Sequence, residues 1–240
     1  MKIALLGYGK MGKAIERIAL QKGHEIVFIS SGNLEETKLS FADVAIDFSV
    51  PEAAFQNIST CLKIGIPVVS GTTGWLEDYE KAVELCHEKS GAFLYASNFS
   101  LGVNLFFRMN QQLAEIMRNF PQFRIEIEET HHTEKKDAPS GTAISLANQI
   151  IQKTEKTGWE LMENKEKNCN HHSIPIIAKR VPNVAGTHVV KYASEMDDIE
   201  LKHTAHSREG FATGAILAAE WLVDKTGVFG MNDVLKNILL

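Results

Sequence analysis

The densest group of proton-carrying side chains in this 240-residue sequence lies between residues 129 and 143. Two histidines and two lysines fall there within six residues: His131, His132, Lys135 and Lys136. Histidine exchanges a proton near neutral pH, and lysine carries both a compact positive charge and a proton. This combination predicts a loop that binds an anion and transfers a proton.

A helix is predicted to begin directly after these side chains, at the segment Pro139-Ser140-Gly141-Thr142. The first N–H groups of a helix have no partner inside the helix, and they attract anions. Cations and helix N–H groups in one segment favour an anionic small molecule. A dicarboxylate would use both features.

Simpler interpretations of this segment remain open. It could be a solvated charged loop, and Ser140 or Thr142 could serve only as a helix cap. Adjacent histidines without cysteine or carboxylate at ligand spacing fit a zinc site poorly, so we predict no metal ion. The segment Cys169-Asn170-His171-His172 is equally weak as a metal site and is interpreted as loop.

A glycine-rich motif occupies the N-terminal part of the chain. Gly7-Tyr8-Gly9-Lys10-Met11-Gly12 has the form GxGxxG, follows the first apolar run directly and opens the first predicted helix. Glycines at these positions permit a tight turn and let the backbone approach a pyrophosphate at the helix N-terminus. The motif in this context predicts a dinucleotide site, and the alternative is a glycine-rich turn without a ligand.

Polar residues follow three further predicted strands of this region. They are Asp47-Phe48-Ser49, Gly71-Thr72-Thr73-Gly74 and Ser97-Asn98-Phe99. Each segment alone is typical of a turn or a helix cap. Together they outline one crevice, because loops at the carboxyl ends of parallel strands face the ligand.

The second predicted strand ends at Ser30-Ser31-Gly32-Asn33, where NAD-binding proteins usually have a carboxylate that binds the ribose. Without that carboxylate a 2′-phosphate meets no repulsion, and serine hydroxyls, backbone N–H groups and Lys38 could bind it. The sequence therefore favours NADPH or the use of either cofactor. The alternative is that these are turn residues and the ribose is solvated.

The elements that position these residues alternate in the first hundred residues. Short apolar runs without strict polar alternation predict buried strands, and segments of helical periodicity lie between them. The predicted strands are 3–6, 26–29, 44–48, 67–70 and 93–96, and the predicted helices are 11–22, 52–64 and 76–89. This order predicts parallel strand–helix–strand units in which helices cover a sheet.

The pattern changes after residue 100. Predicted helices at 104–119 and 141–153 flank a strand at 124–129, and a polar loop follows at 155–172. Strands at 174–179, 188–193 and 199–205 then precede a helix at 211–225. This order indicates an α+β unit with a mixed or antiparallel sheet and a domain boundary near residues 97–102.

Composition limits the class of protein. Hydrophobic residues make up 44% and charged residues 23%, as in ordinary globular proteins. The net charge of -5 argues against a nucleic-acid partner. We expect no membrane span and no signal peptide, because the apolar runs are too short. Three cysteines without a CxxC pair (Cys61, Cys86 and Cys169) predict no disulfides and a cytoplasmic location.

Over nearly its whole length the sequence resembles the dihydrodipicolinate reductase family of bacterial lysine and diaminopimelate biosynthesis, also called 4-hydroxy-tetrahydrodipicolinate reductases. The most specific match is the signature E-x-H-H-x-x-K-x-D-A-P-S-G-T-A at residues 129–143. Supporting matches are at residues 46–49, 71–74, 97–104, 186–188 and 203–208.

The resemblance implies NAD(P)H-dependent reduction of 4-hydroxy-tetrahydrodipicolinate, with loss of water, by a homotetramer. It implies a Rossmann-like dinucleotide-binding domain formed by residues 1–101 and 208–240. Residues 102–207 would form a smaller α+β domain with a mixed sheet that binds the substrate and builds the oligomer. We expect the subunits to pair through the strands between residues 174 and 205.

The resemblance also implies roles for single residues. His131 matches a proton donor and acceptor, and Lys135 a proton donor. The substrate-binding positions match His132, Ser140, Gly141 and Thr142. The cofactor-binding positions match Gly7, Tyr8, Gly9, Lys10, Met11, Gly12, Gly71, Thr72, Thr73, Ala96, Ser97, Asn98 and Phe99.

Two departures from the family pattern concern the cofactor. The glycine loop is one residue shorter than the G-x-G-G-x-M-G of many members, and serine replaces the acidic residue after the second strand. Two rival functions remain at this point. One is another two-domain NAD(P)-dependent amino-acid dehydrogenase, and the other is a non-catalytic sensor that only binds NAD(P)H.

Overall fold

The computed structural model describes residues 1–30, 32, 34–162, 170, 172–207 and 209–236. Contacts divide the chain into two units. Unit 1 consists of Met1–Asn104 and Arg208–Leu240, and unit 2 of Leu105–Ser207. Within the described residues, no helix is long and apolar enough to cross a membrane.

The elements follow one another in an alternating order up to residue 95. They are β1 (Lys2–Leu6), α1 (Lys10–Gln21), β2 (Glu25–Ser30), α2 (Glu36–Leu39), β3 (Val44–Asp47), α3 (Pro51–Lys63), β4 (Val68–Ser70), a 3₁₀ turn (Leu76–Asp78), α4 (Tyr79–Glu88) and β5 (Ala92–Tyr95). The next part of the chain contains α5 (Leu101–Met117), β6 (Arg124–His131), α6 (Gly141–Ile151), β7 (Gly158–Met162), β8 (Ser173–Arg180), β9 (Gly186–Ala193) and β10 (Asp198–Ala205). The last elements are α7 (Glu209–Leu222), β11 (Gly227–Phe229) and α8 (Met231–Lys236).

Unit 1 contains a six-stranded parallel sheet with the order β11-β5-β4-β3-β1-β2. Every residue of β3 and β4 is buried, which explains why these strands read as apolar runs without alternation. One face of the sheet packs against α1, α7 and α8, and the other against α2, α3 and α4. The predicted Rossmann-like α/β architecture is confirmed.

The strand order reverses between β1 and β3, because the chain adds β2 on one side of β1 and β3 on the other. In open parallel sheets the ligand crevice lies at such a switch point, outside the carboxyl ends of the strands. The glycine motif follows β1 at this point, and Phe48 follows β3. The topology thus positions the glycine motif for a nucleotide.

Unit 2 contains a five-stranded sheet with the order β10-β9-β6-β8-β7. The pairs β6–β8 and β7–β8 are parallel, whereas β6–β9 and β9–β10 are antiparallel, so the predicted mixed sheet is confirmed. Alternate residues of β6 are buried: Ile125 and Ile127 join a core with α5 and α6, while Glu126 and Glu128 lie on the opposite face.

The prediction of a loop over residues 155–172 is wrong for its first part. Gly158–Met162 forms β7, which pairs in parallel with β8 at the edge of the sheet. Trp159 packs against the core of unit 2, but Leu161 on the same strand is 45% exposed. Most residues of β7 are half-exposed, and polar segments flank the strand. Its sequence therefore lacks the alternation of apolar and polar residues that predicts a strand. Residues 163–169 and His171 lie outside the described residues.

Candidate active site

The backbone of the glycine motif forms a tight turn between β1 and α1. Gly7 has φ +94°, and a Cβ atom there would lie 2.3 Å from the carbonyl oxygen of Phe48. A Cβ atom on Gly12 would lie 2.3 Å from the carbonyl oxygen of Gly7. Gly9 is the N-cap of α1, and a Cβ atom there would meet no atom of the described residues within 4 Å. The packing thus requires glycine at positions 7 and 12, while Gly9 leaves space for a ligand beside the helix N-terminus.

A cavity of about 400 Å³ lies in front of this turn. It is lined by Gly7, Tyr8, Gly9, Ser30, Gly32, Phe48, Ser49, Val50, Ala53 and Asn57. These residues lie at the ends of β1, β2 and β3 and in the first turns of α3. No acidic side chain is among these residues, so the cavity offers no carboxylate to repel a phosphate.

The buried carboxylate of Asp47 organises the loops beside this cavity. Its Oδ1 accepts hydrogen bonds from Ser49 Oγ at 2.7 Å and Asn57 Nδ2 at 2.8 Å. Its Oδ2 accepts from Ser70 Oγ at 2.9 Å and Thr72 Oγ1 at 2.7 Å. Four donors from the ends of β3 and β4 and from α3 therefore satisfy one fully buried anion and fix two strand-end loops to each other.

The other predicted cofactor positions follow β4 and β5 and do not line this cavity. Thr72 is buried, and its backbone oxygen accepts a hydrogen bond from Trp75 Nε1, whereas Thr73 is exposed. The ring of Phe99 is only 1% exposed and packs edge-on against Phe48. Thr72 and Phe99 thus shape the loops, and their side chains are not free for a ligand.

In unit 2, β6 carries Glu129 and His131 on its buried face, and β9 carries His188 opposite Glu129. Glu129 Oε2 lies 3.6 Å from His131 Nδ1 and 3.7 Å from His188 Nε2. The two imidazole rings meet edge-to-face with their centroids 5.0 Å apart. A fully buried carboxylate thus lies beside two histidines at the end of the strand from which the Lys135 loop departs.

Both histidines are held in the neutral form by burial. Desolvation is the largest cause that lowers the pKa of His188 to about 3, and the neighbouring His131, His203 and Lys135 contribute to the same shift. Desolvation also lowers the pKa of His131, although the Glu129 carboxylate opposes this shift. A neutral imidazole at position 131 can accept a proton at neutral pH.

Lys135 and Asp137 form an ion pair on the loop, with Lys135 Nζ 2.8 and 2.7 Å from the two carboxylate oxygens. The Lys135 side chain is 22% exposed and that of Asp137 61%. The hydrogen bond from Lys135 lowers the pKa of Asp137. Lys136 points to solvent. The two adjacent lysines therefore have different environments, and only Lys135 is held in place.

The guanidinium of Arg180, at the end of β8, reaches the same loop. It donates to the backbone oxygens of Lys135 at 3.3 Å and Asp137 at 2.6 Å. It also contacts Glu129 Oε1 through Nη1 at 3.4 Å and Nη2 at 3.3 Å. The buried Glu129 charge thus has a cationic partner.

The start of α6 lies next to this cluster. The backbone N–H of Ser140 donates to both oxygens of Glu129 at 3.1 Å, and Ser140 Oγ caps the helix by accepting from the N–H of Ala143 at 3.2 Å. The N–H groups of Gly141 and Thr142 have no hydrogen-bond partner in the part of the chain that the structure describes. They remain available to an anion, whereas both polar groups of Ser140 are engaged within the protein.

Glu129, His131 and His188 are also the three described residues whose side-chain donors lie close enough to hold a metal ion, within 4.8 Å of one another. Oε1 of Glu129 is already paired with Arg180, and both oxygens accept from Ser140. A dication here would lie against the guanidinium of Arg180, which already contacts Glu129. The Glu129 carboxylate is thus engaged by Arg180 and Ser140, which fits a metal centre poorly.

Sequence reasoning did not single out Arg180, and it assigned no role to His188. His188 belongs to the matched segment 186–188. A correct prediction that β6 pairs with β9 would have placed it opposite Glu129. Arg180 is the last residue of β8, and no motif surrounds it. His132, in contrast, was predicted, and its Nδ1 is buried without a hydrogen-bond partner in the described structure.

The chain is similar to known proteins over almost its whole length. Residues 1–99 match the family model for the N-terminus of dihydrodipicolinate reductase, and residues 102–235 match the model for its C-terminus. A 4-hydroxy-tetrahydrodipicolinate reductase from Christiangramia forsetii is 56% identical over 99% of both chains. One from Rickettsia bellii is 39% identical, over 96% of this chain and 92% of the other.

A solved structure shares the fold. Dipicolinate-bound dihydrodipicolinate reductase from Paenisporosarcina sp. TG-14 superposes with a TM-score of 0.82 at 23% identity, over 97% of this chain and 98% of the other. The two family models together cover almost the whole chain, and the relatives match it over nearly their full length. The chain belongs to the dihydrodipicolinate reductase family.

Proposed function

We propose that this chain is an NAD(P)H-dependent oxidoreductase that reduces 4-hydroxy-tetrahydrodipicolinate to tetrahydrodipicolinate in lysine and diaminopimelate biosynthesis. The 56% identical relative carries this name over its full length. The observation in the structure that carries the proposal is the position of Lys135: a lysine held on a short loop between a neutral histidine and a helix N-terminus.

The substrate is proposed to be a small dicarboxylate. Its carboxylates would be held by the N–H groups of Gly141 and Thr142 and by the side chains of His132 and Lys135. The related protein from Paenisporosarcina binds dipicolinate, which is a ring with two carboxylates. A substrate carboxylate could replace Asp137 as the partner of Lys135, because the Asp137 side chain is 61% exposed and, within the described residues, its carboxylate bonds to Lys135 alone.

Proton transfer is assigned to Lys135 and His131. When bound, the cofactor supplies a hydride to C4 of the unsaturated ring that forms once the 4-hydroxyl leaves as water. The neighbouring ring carbon then needs a proton. Lys135 is the proposed donor, because a lysine ammonium is protonated at neutral pH while burial keeps His131 neutral. His131 is proposed to exchange that proton as acceptor and donor.

Unit 1 is proposed to bind the dinucleotide, with the pyrophosphate at Gly7–Gly12 and the N-terminus of α1. The open space beside Gly9 and the absence of an acidic lining residue fit this group. We propose that NADPH serves at least as well as NADH, because Ser30 occupies the strand end where a carboxylate would exclude a 2′-phosphate. Ser31 and Asn33 lie outside the described residues.

Unit 2 is proposed to form a homotetramer through the strands between residues 174 and 205. The strand β10 is an edge of its sheet, and Ile199 on it is 39% exposed, so a partner strand or sheet would cover it. Sedimentation should show an assembly larger than the 26.6 kDa chain, and a stable monomer at working concentration would contradict the proposal. A cytoplasmic location is proposed from the free thiols of Cys61 and Cys86.

A coupled assay tests the function. An aldolase generates the dipicolinate precursor, and absorbance follows the consumption of NADPH and, in a parallel reaction, of NADH. The proposal predicts turnover that depends on the precursor. Reaction with an oxo acid and ammonia, but none with the precursor, would favour an amino-acid dehydrogenase. Tight NAD(P)H binding without any turnover would favour a sensor.

A further inference from the structure

The Lys135 loop is weakly tied to the rest of unit 2. Residues 133, 134 and 136–138 are all exposed. The loop has a local turn, in which the N–H of Lys135 donates to the backbone oxygen of His132 at 3.2 Å, and the local Lys135–Asp137 ion pair. In the described part of the chain, the hydrogen bonds that join residues 133–138 to another segment all come from Arg180.

Every N–H of the Arg180 guanidinium is used inside the protein. Nε and Nη2 hold the backbone oxygens of Lys135 and Asp137, and Nη1 donates to the backbone oxygen of Lys179 at 2.8 Å. The remaining N–H groups face Glu129 Oε1. A guanidinium has five donors in one rigid plane, and here five contacts account for them. No N–H is left to bind a substrate carboxylate.

Glu129 fixes the orientation of this guanidinium. Its carboxylate is fully buried and also accepts the N–H of Ser140, where the Lys135 loop enters α6. Arg180 and Glu129 together therefore hold both the middle and the end of the loop. The side chains of Glu129 and Arg180 come from β6 and β8, which are paired in the sheet, so the anchor is built on rigid elements.

We propose that Arg180 is the positioning residue of the reaction assigned above: its guanidinium, oriented by Glu129, holds the loop that presents Lys135 to the substrate. The inference rests on the proposed function for its catalytic consequence only. Lysine at position 180 would keep the positive charge but would offer a single donor head in place of a planar fork. The fork, and not the charge alone, is what the loop requires.

Two variants separate geometry from charge: Arg180→Lys keeps the charge, and Arg180→Gln removes it. Both should lower kcat by about 10²-fold, which is the loss expected for misplacement of a reacting group by about 1 Å. KM for NADPH should stay unchanged, because every described contact of Arg180 lies in unit 2. By NMR, the His131 pKa should rise in Arg180→Gln, where a neighbouring positive charge is lost, and not in Arg180→Lys.

Amide hydrogen exchange of residues 133–138 measures directly how well the loop is ordered. It is monitored by mass spectrometry on the full chain without substrate. Exchange should be faster in both Arg180 variants than in the original chain. The matched control is Arg118, the residue after α5 in the same unit, whose exposed side chain forms an ion pair with Glu115 at 2.8 Å. Arg118→Lys and Arg118→Gln should change neither loop exchange nor kcat.

The outcomes distinguish this inference from the proposed function. If Arg180→Lys keeps the original kcat and loop exchange, the fork is unnecessary and the positioning role is wrong. If both variants only lower the melting temperature while kcat is preserved, Arg180 is merely structural. If the original chain does not reduce the dipicolinate precursor, the proposed function fails, and the exchange measurement still decides whether Arg180 orders the loop.

Discussion

Replacing Lys135 with methionine should remove most of the turnover and little of the stability. Methionine keeps an unbranched side chain of similar length and loses the ammonium. The ion pair that is lost has a partner, Asp137, that is 61% exposed, and exposed pairs contribute about 0–1 kcal/mol to the free energy of unfolding. For a protein of this size, that corresponds to a fall in melting temperature of about 2–4 °C at most.

The effect on catalysis should be larger. Loss of a general acid lowers kcat by about 10²–10⁴-fold, which is about 2.7–5.5 kcal/mol of activation free energy. NADPH affinity, measured by titration of cofactor fluorescence, should be nearly unchanged. Turnover in the coupled assay and melting temperature together separate a chemical role from a structural one.

Lys136→Met is the internal control, because Lys136 is the exposed neighbour with no described partner. It should change turnover much less than Lys135→Met. The reasoning is refuted if Lys136→Met abolishes turnover while Lys135→Met leaves it near normal. If neither substitution lowers turnover, the loop is only a solvated surface, and the assignment of a catalytic lysine fails.

Four further predictions address other parts of the structure. His131→Gln should remove a limb of the kcat/KM profile below pH about 6.5, because burial lowers the pKa of His131; an unchanged profile would exclude this titration. The pKa of His188 is about 3 in the folded protein and near 6.5 in the unfolded chain. Its contribution to the free energy of unfolding is therefore complete above about pH 6.5 and is lost as pH falls towards 3. Over that range, denaturant unfolding of His188→Gln should depend less on pH, by roughly 1.4 kcal/mol per pH unit, and an equal slope would contradict the shift. Asp47→Asn replaces one acceptor oxygen by a donor and loses two of the four hydrogen bonds. It should lower the free energy of unfolding by about 2–6 kcal/mol. A loss below about 1 kcal/mol would contradict the stabilising role of these hydrogen bonds. Ser31→Asp should shift catalytic efficiency from NADPH towards NADH by repelling the 2′-phosphate, and a ~100-fold preference of the original chain for NADH, about 2.7 kcal/mol, would contradict the cofactor proposal.

The sequence predicted the sheet of unit 1 well because its strands are buried on both faces. The apolar runs at 3–6 and 44–48 are continuous for this reason, and they coincide with β1 and β3 to within one residue. The edge strands β7 and β11 were missed, whereas the edge strands β2 and β10 were predicted. β11 has three residues, all partly buried, and β7 lies between polar segments, so neither gives a periodic signal. The pairing of β11 also depends on β5, a strand distant in sequence.

The part of the candidate site whose reactive residues lie close together in the sequence could be predicted. His131, Lys135 and Gly141 lie within eleven residues of one another, so their residue types alone indicated an anion site. Arg180 could not be found this way, because its role exists only when β8 pairs with β6 and brings it to Glu129, 51 residues away in the chain. Asp47 was noticed as part of a strand-end loop, but its four donors come from three elements.

The central claim is that a hydride from the nicotinamide is transferred to the ring of a dicarboxylate. Isotope tracing tests it most directly: the enzyme is supplied with aldolase-generated precursor and with NADPH deuterated at the transferable position of the nicotinamide. The account predicts that the product gains one deuterium per turnover, located at C4 of the ring by NMR and mass spectrometry. Consumption of the cofactor without deuterium in the ring, or no consumption in the presence of the precursor, would contradict it.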